Sequence, residues 1–166
     1  MLEKYIRKIL QEIHPNMKIA RKSLIIIEKI MINFLKKLIL KHIKLKNFDL
    51  SIRELMEETL ANKTINYEFL KDYNNLSYSP YIIYKIIKME GLYMEYFKNE
   101  SVLQYLSIII EYITFEILSL SKIITNNNNK IIIHPYYIYE AISKSNELSN
   151  LIINIFDMPI SNIVFA

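Results

Sequence analysis

Side chains able to do covalent or metal chemistry are few and scattered. The three histidines, His14, His42 and His134, stand far apart and form no H-E-x-x-H pair. Cysteine is absent, which excludes thiolate metal sites, disulfides and cysteine nucleophiles. Glu57-Glu58 and the pair Glu111 and Glu116 have the spacing of acid–base partners, but no nucleophile accompanies them. Thirteen tyrosines could stack on bases, yet most are expected at packing positions. The one glycine leaves no G-x-G-x-x-G or G-x-x-x-x-G-K loop to cradle a nucleotide. No enzymatic activity, cofactor, metal or small-molecule substrate is therefore expected. What remains is cationic chemistry. The chain of 166 residues carries a net +4, unevenly spread. Residues 1–76 hold fifteen Lys and Arg against nine acids, net +6; residues 77–166 hold six against eight, net −2. A polyanion should meet the first half more strongly.

The elements that would position these charges are helical. One glycine is too few for an all-β fold with many tight turns. EKYIRKILQEI (3–13) has apolar residues at 6, 9, 10 and 13, and His14-Pro15-Asn16 ends that short helix. A long helix follows over about 21–45, with a narrow wet stripe at Lys29, Asn33, Lys36/Lys37, Lys41 and Lys44, broken at Asn47-Phe48. Ser51-Ile-Arg-Glu54 reads as a capping box that opens a third helix of about ten residues, and 64–73 is a fourth helical segment. A polar connector covers 74–79. The pattern then repeats: Ser79-Pro80 starts a short helix ended by Gly91. Ser101-Val-Leu-Gln104 opens a long helix to about 124, with a polar stripe at Gln104, Ser107, Glu111, Thr114, Ser121/Lys122 and Thr125. The asparagine run 126–129 stops it. Pro135 starts a short helix to about 143, 146–154 is helical, and 155–166 is a tail. Neither long helix can bury its wide apolar face within its own unit, so two units, 1–76 and 77–166, should pack together. Residues 1–15 show no signal-peptide pattern, and charges cut every apolar run below the roughly 20 residues of a membrane span. The expectation is an intracellular all-α protein.

Short–long–short helices with polar loops resemble the histone fold. KILQEIHPNMKIARKSL (8–24) resembles the first helix and first loop of histone 2B, including His14-Pro15 and the Ile19 to Lys22 opening of the long helix. SIRELMEETL (51–60) resembles the start of that family's third helix, with Arg53-Glu54 in place. EYITFEILSLS (111–121) and HPYYIYEAISKSNELSNLI (134–152) resemble the long and third helices of histone 2A, and MPISNIVFA resembles its docking tail. The order, 2B-like then 2A-like, is similar to the fused histone doublets of giant DNA viruses. The resemblance implies two histone folds in one chain forming an intramolecular handshake dimer. It implies a partner of histone 3/4 type, double-stranded DNA held by its phosphates in nucleosome-like particles, and a location in the virion, the viral factory or the host nucleus. Two other readings stand beside it: a histone-fold subunit of a transcription complex, and a protein-only scaffold that has lost DNA.

Phosphate contacts need Lys, Arg, hydroxyls and backbone N–H groups at helix starts, and histone-type wrapping adds arginines in the minor groove. The residues placed for this by the resemblance are Lys4, Arg7 and Lys8 on the first helix and Lys18, Arg21 and Lys22 at the first loop. Lys46, Ser51 and Arg53 fall around the second loop. In the second half only Lys85, Lys88, Lys98 and Lys130 are placed to help. The competing reading of each lysine is a merely solubilising one. The family's arginines in the 2A-like half fall on Ile83, Ile86, Met89, Tyr96 and Ile132. Its acidic patch is matched at Glu111, Glu116 and Glu147, but Ser119, Ser145 and Asn146 stand where other acids are expected. No basic tail precedes Lys4. Weaker wrapping, biased to the 2B-like half, is the expectation.

Overall fold

The computed structural model describes residues 1–42, 50–55, 76–92, 100–156 and 158–165. They are mostly helical. The order is α1 (Glu3–Ile13), β1 (Lys18–Ile19), α2 (Arg21–His42), a helical segment at 50–55, α3 (Pro80–Met89), α4 (Glu100–Asn127), β2 (Ile132–Ile133), α5 (Pro135–Lys144), α6 (Asn146–Phe156) and α7 (Ile160–Val164). Among the described residues no helix is long and apolar enough to cross a membrane. The breaks expected at Asn47-Phe48 and the fourth helical segment at 64–73 lie outside the described residues.

The chain divides into two compact units, residues 1–34 with 113–166 and residues 35–112. These are not the sequence halves 1–76 and 77–166: each compact unit draws on both halves.

In the first unit, α1 buries Ile6, Ile9 and Leu10, three of the four positions of the apolar stripe read from its spacing, and half-buries Ile13. Each such side chain contributes about 1.5–3 kcal/mol when fully buried. The Glu28 carboxylate on α2 accepts the Leu2 N–H at 2.7 Å and the Met1 amine at 3.0 Å, which ties the start of α1 to α2. The His14 N–H closes α1 on Leu10 O, and Pro15 cannot continue the helix. β1 then pairs in parallel with β2, Lys18 opposite Ile132 and Ile19 opposite Ile133. The Lys18 N–H donates to Ile131 O at 2.9 Å and the Ala20 N–H to Ile133 O at 3.1 Å. The buried Ser23 hydroxyl donates to the same Ile133 carbonyl at 2.8 Å, so the first turn of α2 is fastened to β2. Helices α6 and α7 pack on α5. The stretch after 154, expected to be a tail, thus includes a helix, and its Ile160 and Val164 are buried. Apolar residues four apart gave α7 a face to bury.

The asparagine run has a definite geometry. Asn129 is left-handed, with φ 55°. Its N–H donates to Asn126 O and the Lys130 N–H reaches back to Thr125 O at 3.0 Å. This is a Schellman motif with asparagine in the place glycine usually takes. The Asn128 side-chain amide also covers Ile124 O at 2.8 Å.

In the second unit, α3 begins as the sequence indicates: Ser79 is the N-cap, its hydroxyl accepting the Ile82 N–H, and Pro80 is the first helical residue. It ends in the same Schellman pattern, with Gly91 at φ 65° and the Leu92 N–H on Ile87 O. The two expected capping boxes are not N-caps. Glu100 is already helical ahead of Ser101, and Leu50 ahead of Ser51, whose hydroxyl instead meets His42 Nδ1.

Helix α4 departs most from expectation. Its polar stripe is not wet: Ser107, Glu111, Thr114, Ser121 and Thr125 are all fully buried. The Ser107 and Thr125 hydroxyls donate to the carbonyls of Leu103 and Ser121 one turn back, so these two are satisfied, whereas the buried Ser121 hydroxyl has no partner.

Candidate nucleic-acid interface

The parallel bridge puts three cations at one edge of the first unit. Lys18 lies on β1, and Arg21 and Lys22 open α2; all three are exposed. The first helical hydrogen bond of α2 runs from the Leu24 N–H to Ala20 O, so the N–H groups of Arg21, Lys22 and Ser23 have no helical acceptor. Unpaired N–H groups and the positive end of the helix dipole favour an anion there. Lys130, also exposed, sits two residues before β2 and so joins the same edge. Among the described residues, none of these four cations makes an ion pair with a carboxylate.

A cleft of about 330 Å³ adjoins the bridge, lined by 13–17, Lys122, Asn126 and Ile131. It contains no carboxylate. Burial, and then the Lys122 ammonium, hold the His14 imidazole below its ordinary 6.5. Lys122 is the cation that sequence reasoning left out of the binding set. Its only signal was its place one turn before the asparagine run.

The remaining candidates are dispersed. Lys4, Arg7 and Lys8 are exposed on α1 at helical spacing of three and four. Lys4 lies over the Tyr5 ring at 4.9 Å, and Lys8 makes an exposed pair with Glu12 at 4.0 Å, a weak tie. Lys85 and Lys88 are exposed on α3 in the second unit, and Arg53 is exposed at 50–55. Ser51 is half-buried and engaged with His42. Lys46 and Lys98 lie outside the described residues.

The acids separate in the same way. Glu111 is fully buried and receives the Ser77 N–H at 2.8 Å and the Tyr78 N–H at 3.3 Å. Glu116 is 5% exposed. Of the three acids expected in a surface patch only Glu147 is exposed, and a carboxylate such as Glu111 that ties down buried backbone N–H groups is not offered to a partner. Ile83 and Ile86, where the histone resemblance expects arginines, lie in the core of the second unit, while Met89 is exposed and Ile132 is half-buried in β2. Tyr96 lies outside the described residues. Two of those positions therefore could not present an arginine to DNA in this fold.

No family model matches the chain, and no curated protein matches it.

Proposed function

We propose that this chain is a histone doublet, 2B-like then 2A-like, that binds double-stranded DNA without sequence preference and assembles with a histone 3/4-type partner. The observation that carries the reading is the parallel pairing of 18–19 with 132–133 inside a compact unit made of residues 1–34 and 113–166. Two histone folds in a handshake join the first loop of one fold to the second loop of the other, and the pairing of 18–19 with 132–133 supports that reading. The free cations Lys18, Arg21, Lys22 and Lys130 stand along the bridge, beside the open N-terminus of α2. The work this arrangement suits is phosphate contact, which positions DNA and reads no bases. A viral DNA-packaging role, in virion, factory or nucleus, follows from the doublet reading.

The test is duplex binding across a salt titration, alone and with a 3/4-type partner. Each neutralised phosphate adds about 0.9 to the salt slope. The triple variant Lys18→Gln, Arg21→Gln, Lys22→Gln should therefore flatten the slope by about 2.7 if each cation holds one phosphate. An unchanged slope removes the site from this edge. Partner-dependent protection of DNA supports packaging, whereas a marked sequence preference supports a transcription-complex subunit.

A protein-only scaffold is favoured by one specific feature: a hydrophobic residue, Ile132, occupies the bridge where the family carries a groove-entering arginine. That reading predicts no duplex binding at about 50 mM salt, even with the partner.

A further inference from the structure

We propose that the outward face of α3 binds single-stranded nucleic acid, by stacking bases on Tyr81 and Tyr84 and holding phosphates with Lys85 and Lys88. The inference is independent of the duplex site proposed above, which lies in the other compact unit.

The structure sorts the tyrosines in a way the sequence did not. Tyr78 and Tyr112 are fully buried, as packing residues are. Tyr81 is 69% exposed and Tyr84 36% exposed, and both lie on a helix whose other side, Ile82, Ile83, Ile86 and Ile87, forms core. Tyr81 stands mostly in water, and Tyr84 keeps about a third of its surface there. Each is followed four residues on by an exposed lysine, Tyr81 by Lys85 and Tyr84 by Lys88. Positions i and i+4 are neighbours on a helix surface, about 5–6 Å apart at Cβ. The face thus sets two rings and two lysines at neighbouring positions.

Among the described residues none of the four side chains has a hydrogen bond, ion pair or ring contact. The nearest acid in sequence, Glu90, is paired with Lys36 at 3.6 Å, which leaves the lysines uncompensated along this helix. Exposed ring surface interleaved with unpaired cations supplies the elements of single-strand binding: rings accept any base, and cations track the backbone. Duplex DNA keeps its bases stacked on each other and offers the rings nothing, so the face discriminates between strand states. The same chemistry serves DNA or RNA.

The experiment measures anisotropy of labelled oligo-dT and oligo-U of about fifteen nucleotides, and of a duplex of equal length, with the full chain at about 50 mM salt. Both single strands should bind, and the tighter one identifies the source. Tyr81→Ala with Tyr84→Ala should weaken single-strand binding at least about tenfold, leaving duplex affinity and the helical circular dichroism unchanged. Tyr81→Phe with Tyr84→Phe should retain binding, since the ring face is kept. Lys85→Gln with Lys88→Gln should lower the single-strand salt slope by about 1.4, two contacts at about 0.7 each. The triple variant at Lys18, Arg21 and Lys22 separates the two proposals, because it should act on the duplex and spare the stacking contribution. The inference is overturned if neither oligomer binds, the outcome for a face that docks a protein. It is equally overturned if the alanine pair leaves oligomer affinity intact, or weakens duplex and single strand alike.

Discussion

Asn129 shows how one residue carries a local geometry. Its left-handed backbone lets α4 close in a Schellman motif and turn into β2. Asparagine tolerates that region and β-branched residues do not. Asn129→Gly should be neutral or slightly stabilising, while Asn129→Val should cost about 1–2 kcal/mol in thermal unfolding, with equal losses for both arguing against the motif. Histidine gives the residue-scale pH behaviour. Burial, with a smaller contribution from Lys122, lowers the pKa of His14, and burial with Lys41 does the same for His42. Folding thus favours the neutral imidazoles. The stability they bring is present above the ordinary 6.5 and is lost as pH falls through the lower folded-state values. Proton NMR should find both titrating below 6.5, and Lys122→Gln should raise His14 without moving His42. A His14 midpoint at or above 6.5 would refute the assignment.

At the scale of elements, the bridge between β1 and β2 is only two residues per strand, so side-chain support matters. Ser23→Ala removes the hydroxyl bonded to Ile133 O and should destabilise by about 1 kcal/mol. A second check exploits the absence of native cysteine. Lys18→Cys with Ile132→Cys, at directly opposed positions, should oxidise to an intramolecular disulfide and raise the unfolding temperature, because the bond closes a long loop. Failure to crosslink would mean the strands are not in this register. Helix α4 illustrates the limit of pattern reading. A stripe of Ser, Thr and Glu looks wet, yet the Ser107 and Thr125 hydroxyls bond to the carbonyl one turn back and the Glu111 carboxylate finds N–H donors, so these three are buried at little cost. Glu111→Ala should therefore be among the more damaging substitutions, about 2–3 kcal/mol, since it strands the Ser77 N–H among buried groups.

For the molecule as a whole, the proposed activities rest on charge placement rather than net charge. A net +4 alone says little, but the exposed cations at 18, 21, 22 and 130 flank one bridge. Duplex affinity should fall steeply with salt and depend on that edge, whereas single-strand affinity should depend on the tyrosines of α3.

The sequence by itself determined helices α1 to α6 and several of their ends, but not α7. Ser79-Pro80, His134-Pro135, Gly91 and the asparagine run are local signals, and local backbone chemistry acts within a few residues. It also determined the apolar faces of α1 and α3, although on α3 the histone resemblance led to expecting exposed arginine positions at two core isoleucines. Only the tertiary structure decided which distant segments meet: β1 with β2 across more than a hundred residues, the compact units that cut through both sequence halves, the burial of α4's polar stripe, and which tyrosines stay in water. Those outcomes depend on where two far-apart stretches find their partners, and a periodicity describes only the face a helix must cover, not what covers it.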